Sequence, residues 1–185
     1  MNKKYVSILF IFFYVNLFAF EIIGDPKIWQ MEDFIGFDKI GDSQYRGDIS
    51  SVYRRIEDKK LFLRITFDDM YSRKEKKDFF YDNHIKMALQ IKTKSTIFFD
   101  EIIDVNNLIK NESSYYFLRT PEYNLIELIV DWPFEIIKEN LVFDISIIYN
   151  DKKIDQFIGS GIKNSNGGNV AFVHHGNQGL TYSEV

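Results

Sequence analysis

The 185-residue chain contains no cysteine. An exported domain without cysteine has neither disulfides nor thiolate metal ligands, and it cannot carry a lipid-modified cysteine behind its leader. Its stability must therefore come from packing. The chain is long enough for one domain with a single hydrophobic core.

Recognisable catalytic motifs are also missing. The sequence has no nucleophile elbow, no phosphate-binding loop, no zinc-protease helix motif and no thiol. Carboxylate pairs such as Glu101 and Asp104 are present, but catalysis by two carboxylates depends on their separation across a cleft, which a sequence does not define. These absences favour a chain without its own active site.

A basic surface is absent as well. Acidic residues outnumber basic ones by 27 to 23, which gives a net charge of −4, and Lys3 and Lys4 lie in a segment that export would remove. The basic group at residues 73–77 includes Glu75 and is typical of a solvated loop or helix face. We therefore expect no nucleic-acid partner.

Residues 1–19 have the form of an export signal. Two early lysines precede an almost wholly apolar run at 5–18, which ends at the small residue Ala19. Asn16 interrupts this run, which is shorter than the roughly 20 residues that span a bilayer. We expect a cleaved signal helix, a mature chain that begins near Phe20, and a periplasmic or extracellular location. The alternative is that the segment is not cleaved and anchors the protein in the membrane. In that case the signal segment alone would contact the membrane.

Alternating apolar residues predict β-strands through most of the chain. Residues 61–67 alternate most clearly, and residues 49–56 precede them across a polar turn of hairpin length, so these two strands should pair antiparallel. Further strands are expected at 85–91, 96–99, 114–119, 123–130 and 143–149. The strand at 123–130 is apolar on both faces and should be central. Short helices are expected at 72–80 and 134–140.

This arrangement predicts an all-β, antiparallel β-sandwich of jelly-roll-like type over residues 20–158. Residues 159–168 are rich in Gly, Ser and Asn, so 159–185 is expected to be a linker and tail. The tail either docks back as an edge strand or begins a missing domain. Its neighbouring His174 and His175 would chelate one metal only if the backbone turned there.

Asp38, Asp42 and Asp48 lie in an acidic loop with Gly41 and Gly47. Calcium takes six to eight oxygen ligands from carboxylates, carbonyls and water, so this loop predicts part of a structural calcium site. The competing interpretation is that the three acids form turns through their own backbone hydrogen bonds.

Aromatic side chains make up 17% of the chain. On an exported sandwich, exposed rings can stack on the apolar face of a sugar. Trp132 should lie at a rim, because it follows a central strand and precedes Pro133, and Trp29 and Tyr45 are further candidates for ligand binding. The alternative for each ring is packing in the core or against a neighbouring strand.

Three stretches resemble a known family. Residues 36–42 read Gly-Phe-Asp-Lys-Ile-Gly-Asp, residues 47–53 read Gly-Asp-Ile-Ser-Ser-Val-Tyr, and residues 60–65 read Lys-Leu-Phe-Leu-Arg-Ile. They resemble the opening of the carbohydrate-binding-module-9-like and DOMON-like β-sandwiches. The resemblance implies a non-catalytic module attached to exported enzymes, often one that recognises sugars and sometimes holds calcium in its acidic loop.

The predicted function is that of an exported accessory module that binds a polysaccharide or oligosaccharide. The parent protein would process polysaccharides, as a glycoside hydrolase or deacetylase does. One alternative is a periplasmic or surface module that binds another protein. A second is the front part of a hydrolase whose active site would include His174 and His175.

Overall fold

The computed structural model describes residues 29–30, 33–134, 141–163, 169–175 and 178–181, with side chains described as far as residue 160. The predicted signal helix at 1–19 lies outside these residues. So do residues 135–140 of one predicted helix and 164–168 of the predicted linker. The chain divides into two compact units, Met1–Gln30 and Met31–Val185, and the described strands all lie in the second.

The described residues form fourteen strands. In chain order these are β1 (Phe34–Phe37), β2 (Asp48–Glu57), β3 (Lys60–Asp68), β4 (Tyr71–Ser72), β5 (Lys77–Asp78), β6 (Lys86–Lys92), β7 (Ile97–Asp104), β8 (Ile109–Asn111), β9 (Tyr115–Thr120), β10 (Leu125–Asp131), β11 (Val142–Tyr149), β12 (Lys152–Lys163), β13 (Asn169–His175) and β14 (Gln178–Thr181). One helical turn, α1 (Phe79–Asp82), follows β5, and a 3-10 turn at Pro121–Tyr123 precedes β10.

Two six-stranded antiparallel sheets make up the sandwich. The first has the strand order β1-β2-β3-β10-β9-β8, and the second has the order β14-β13-β12-β11-β6-β7. A small ribbon of β4 and β5 stands apart from both sheets. The chain crosses between the sheets after β3, β7 and β10. The predicted all-β antiparallel sandwich is confirmed.

The core lies between the two sheets, and the alternation of the strands explains how it is filled. Apolar residues at every second position of β3 point inward and face the inward positions of β6, β11 and β12. The buried members include Val52, Leu63, Ile65, Met87, Leu89, Leu128, Ile145 and Phe157. They form one continuous apolar cluster.

The predicted hairpin of β2 and β3 is confirmed. Glu57 pairs with Lys60, so Asp58 and Lys59 form a two-residue turn in which both have positive φ, 48° and 59°. Such turns match the right-handed twist of the strands they join. The turn between β11 and β12, at residues 150–151, has the same conformation.

The centre of the first sheet is buried on both faces. β10 lies between β3 and β9, which confirms the predicted central strand. On its outward face, Glu127 is 2% exposed and lies opposite Arg64, with Nε of Arg64 3.8 Å from Oε1 of Glu127. Two opposite charges therefore share this enclosed position.

The predicted helix at 72–80 is wrong. The segment instead forms the β4 and β5 ribbon, followed by the single turn α1. Oδ1 of Asp78 accepts hydrogen bonds from the amides of Phe80 and Tyr81, at 3.1 and 3.2 Å, and so caps the turn. Phe80 is fully buried, and a Cβ added to Gly47 would overlap its ring.

The second sheet extends into the C-terminal part of the chain. β12 continues beyond Ile158 to Lys163, and β13 pairs with it antiparallel, Gly159 opposite Val173. β14 then pairs with β13 and forms the edge of the sheet. These described strands of the tail are therefore part of the sheet.

Candidate binding site at the loop end

The segment between β1 and β2, residues 38–47, folds back onto the start of β2. The amide of Asp38 donates to the carbonyl of Ser50 at 3.0 Å, and the amide of Gly41 donates to Oδ2 of Asp48. Gly41 has a φ of 88°, a conformation that residues with a side chain rarely adopt. The loop is therefore anchored to β2 at two points.

Asp155 reaches the same region from the other sheet. A bulge at Ile154 interrupts the pairing of β11 with β12 just before Asp155, which shares the inward face of β12 with Phe157. Oδ2 of Asp155 accepts a hydrogen bond from the amide of Ile49 in β2, at 2.6 Å. Because β2 and β12 belong to different sheets, this hydrogen bond joins the two layers.

Asp42, Asp48 and Asp155 form what we call the acidic cluster. One carboxylate oxygen of each lies within 4.8 Å of the others. Asp42 is exposed, whereas Asp48 and Asp155 are only 4% and 7% exposed. Oδ1 of Asp48 is buried and accepts no hydrogen bond from the described part of the chain. Three carboxylates at this spacing can supply part of the oxygen shell that calcium requires.

Burial and repulsion between carboxylates raise the pKa values of Asp38, Asp48 and Asp155. Burial, with the nearby carboxylate of Asp155 adding to it, raises the pKa of Asp38 to about 8. Burial also raises the pKa of Asp155 to about 6, although the hydrogen bond from the Ile49 amide lowers it. The pKa of Asp48 is raised as well, chiefly by burial. A bound divalent cation would relieve this repulsion.

Tyr45, Phe79 and Tyr149 form what we call the aromatic patch. The ring of Tyr45 lies edge-on to Tyr149 with 5.5 Å between the ring centroids, and it is stacked with Phe79 at 6.5 Å. Tyr45 is 44% exposed, while Phe79 and Tyr149 are half-buried and pack on the core. The patch is therefore one exposed ring supported by two others. We call this end of the sandwich the loop end.

Arg46 ties the loop to the β4 and β5 ribbon. Its Nη2 donates to the carbonyl of Lys77 at 3.1 Å, and its Nε lies 3.4 Å from Oδ2 of Asp69. The guanidinium also lies over the Phe79 ring, 6.0 Å from the centroid. These contacts hold Arg46 in place and so fix the loop directly after Tyr45.

The structure brings together two of the three predicted calcium ligands. Asp42 and Asp48 meet in the acidic cluster, whereas Asp38 is a buried neighbour whose pKa the carboxylates of the cluster help to raise. Sequence reasoning missed Asp155. The sequence did contain a signal for Asp155, because it lies two residues before Phe157 in the same strand. Residues two apart in a strand share a face, so Asp155 faces inward with Phe157.

The expected rim position of Trp132 is wrong. Its side chain is 1% exposed and packs against Phe98 and Phe134, with ring centroids 5.6 and 5.0 Å away. The reason is that Trp132 continues the inward face of β10 beyond Val130, and its amide donates to the carbonyl of Lys59. An enclosed ring offers no face to a sugar.

Trp29, His174 and His175 are not members of the acidic cluster or the aromatic patch. Trp29 is half-buried and belongs to the first compact unit, of which only residues 29–30 are described. In the hairpin of β13 and β14, His174 pairs with Gly179 and His175 with Gln178. Of the three predicted ligand-binding aromatics, Tyr45 is the one in the aromatic patch.

Comparison with family models, curated proteins and solved structures finds no match to this chain. No helix in the described part of the chain is long and apolar enough to cross a membrane. What the structure defines is an antiparallel β-sandwich with an acidic cluster and an aromatic patch at one end.

Proposed function

We propose that this chain is an exported, non-catalytic module that binds carbohydrate at its loop end. The observation that carries the proposal is the exposed Tyr45 ring, which Phe79 and Tyr149 hold in place. A supported aromatic ring binds the apolar face of a sugar at low cost in side-chain entropy. The proposed context is a protein that processes polysaccharides, as the resemblance at residues 36–65 suggests.

Replacement of Tyr45 tests this proposal. The variant Tyr45→Ala should lose about two- to tenfold in retention, because one stacked aromatic ring is worth about 0.5–1.5 kcal/mol and about 1.4 kcal/mol corresponds to a factor of ten. Retention is measured on insoluble cellulose, xylan, chitin and starch. The matched control is Tyr123→Ala, since Tyr123 is exposed but lies outside the patch. Retention by none of these polymers, or equal retention by both variants, would count against the patch as the site.

We also propose that the acidic cluster binds calcium in a structural role. The supporting observation is the buried Oδ1 of Asp48, an acceptor that lacks a hydrogen bond from the described residues and belongs to a group of three converging carboxylates. Leaving a buried charged acceptor unsatisfied is costly, and a cation would satisfy it. The cation would hold Asp42 of the loop, Asp48 of β2 and Asp155 of β12.

Calcium should raise the melting temperature of the metal-free protein, because a ligand that binds only the folded state stabilises it. At 100 times the Kd this amounts to about 2.7 kcal/mol, or about 5–10 °C for a chain of this size. Thermal unfolding with EDTA and with calcium chloride measures the shift. Asp48→Asn should abolish it. The control Asp151→Asn changes an exposed acid of the nearby turn and should keep the shift. An equal shift in both variants would refute this ligand set.

A further inference from the structure

We infer that the acidic cluster and the aromatic patch are coupled, so that calcium binding strengthens carbohydrate binding by this chain. The inference rests on the proposed function for the identity of both ligands. Its basis is the way in which the same two segments of the chain build both sites.

Each site is a bridge between the loop at 38–47 and the β11–β12 hairpin. The loop contributes Asp42 to the acidic cluster and Tyr45 to the aromatic patch. The hairpin contributes Asp155 to the cluster and Tyr149 to the patch. The two bridges therefore run side by side between the same pair of segments.

Local hydrogen bonds hold the stretch of the loop between Asp42 and Tyr45. The amide of Tyr45 donates to Oγ of Ser43 at 3.1 Å, which closes a turn directly after Asp42. Arg46 holds the following residue through the carbonyl of Lys77. The turn closed by Ser43 therefore links the position of Asp42 to that of the Tyr45 ring, three residues further along the loop.

Repulsion in the acidic cluster acts on its one exposed member. Asp48 and Asp155 are buried and held by strands, whereas Asp42 is exposed and lies on the loop. When the three carboxylates are ionised and no cation is bound, their repulsion disfavours the position of Asp42 in the cluster, and with it the contact between Tyr45 and Tyr149. A bound calcium ion attracts all three carboxylates and so outweighs the repulsion between them. This attraction draws the loop toward the β11–β12 hairpin.

This arrangement requires the coupling to be reciprocal. If calcium strengthens carbohydrate binding by some factor, the carbohydrate must strengthen calcium binding by the same factor. The same logic applies to the contact between Tyr45 and Tyr149, because removing it releases the loop from the hairpin. Weakening the aromatic bridge should therefore weaken calcium binding, although neither tyrosine is a calcium ligand.

The first experiment measures calcium affinity by titration calorimetry, with calcium chloride as the ligand. Tyr149→Ala should bind calcium at least about fivefold more weakly than the unmodified chain, the lower end of typical couplings between sites. Tyr123→Ala should bind calcium normally. Equal calcium affinity in Tyr149→Ala and Tyr123→Ala, with both folded by circular dichroism, would overturn the inference, as would an unmodified chain that does not bind calcium.

The second experiment observes the patch directly and needs no carbohydrate. The protein is labelled with 3-fluorotyrosine, and the Tyr45 signal in the fluorine NMR spectrum is assigned with Tyr45→Phe. Calcium chloride should shift this signal with the Kd found by calorimetry, and an equal concentration of sodium chloride should not. A Tyr45 signal that stays unchanged while calcium binds would overturn the inference.

Polysaccharide retention separates the inference from the proposed function. If a polymer is retained, calcium should increase its retention at least about fivefold. Retention that is equal in calcium and in EDTA would overturn the coupling and leave carbohydrate binding intact. If no polymer is retained but calcium shifts the Tyr45 signal, the proposed function fails and the link between the two sites is supported.

Discussion

Asp38 shows how burial and neighbouring charges act on a single carboxyl group. It is 6% exposed, and the carboxyl groups of Asp42, Asp48 and Asp155 all act on it. Its pKa is about 8, compared with an ordinary value of 3.8. Over much of the range between these values, the folded protein holds a proton on Asp38 that the unfolded chain has released.

The metal-free protein should therefore lose stability as the pH rises from about 5 to about 8.5. The contribution of Asp38 is fully present below its unfolded pKa and is lost as the pH rises through its folded pKa of about 8. Asp155, whose pKa is about 6, adds to the loss at the lower end of the range. Melting temperatures in EDTA across this range measure the effect, and Asp38→Asn should flatten the upper part of the profile. A slope that Asp38→Asn leaves unchanged would contradict this account.

Sequence reasoning at the residue scale works best for groups that lie close together in the chain. Asp42 and Asp48 share one glycine-containing loop, so their proximity could be predicted. Asp155 joins them only through the packing of β12 against β2, which a single sequence does not specify. Trp132 was misplaced because Pro133 suggested a rim, whereas the inward face of β10 continues through it.

Among the elements, α1 depends on one residue for its position. Oδ1 of Asp78 caps the turn, while Oδ2 pairs with Nη1 of Arg119, whose side chain is 1% exposed. Nη2 of Arg119 also donates to the carbonyl of Asn106 at 2.7 Å. Asp78 thus links α1 to β9, and α1 in turn carries Phe79 of the aromatic patch.

Removal of this link should destabilise the whole domain. Asp78→Ala leaves a buried guanidinium without its carboxylate, and breaking such a pair costs about 3–5 kcal/mol. For a chain of this size, about 3 kcal/mol lowers the melting temperature by about 6–12 °C. Chemical and thermal unfolding measure the loss. Asp82→Ala removes an exposed acid of the same turn and should change stability little. Similar losses in the two variants would show that the pairing with Arg119 contributes little.

Elements with a regular apolar alternation could be predicted, and elements held by side-chain contacts could not. The β2–β3 hairpin follows from the pattern of residues 49–67 together with a polar turn. The segment at 72–80 is charged and lacks such a pattern. Its ribbon and α1 depend on Arg119, Asp78 and the buried ring of Phe80, which are contacts between distant parts of the chain.

Across the whole molecule, the outer faces of the two sheets differ. The second sheet carries a polar ladder, in which Nε2 of Gln156 donates to Asp144 at 2.7 Å and Nζ of Lys92 lies 3.7 Å from Asp144. The first sheet is closed at its centre by Phe62 and Leu125, which are 8% and 3% exposed. An exposed aromatic ring of the first sheet lies instead at its edge, where Phe37 is 62% exposed and packs against Phe34.

The edge strand β7 gives little support to a protein-interaction module. Glu101 lies opposite Leu89 at an inward position of β7, yet it is exposed. A charge at such a position discourages pairing with another strand. Ile97 and Ile102 of the same strand are also exposed, so the edge combines apolar and acidic side chains.

The hydrogen bond from Ile49 to Asp155 spans 106 residues of sequence. A chain that emerges from an export channel with its N-terminus first presents Asp42 and Asp48 long before β12 can reach them. We therefore expect the acidic cluster to form late in folding, since contacts between distant residues form slowly. If the chain is exported and the cluster binds calcium, as proposed, capture of the ion would mark the moment at which the two layers have closed.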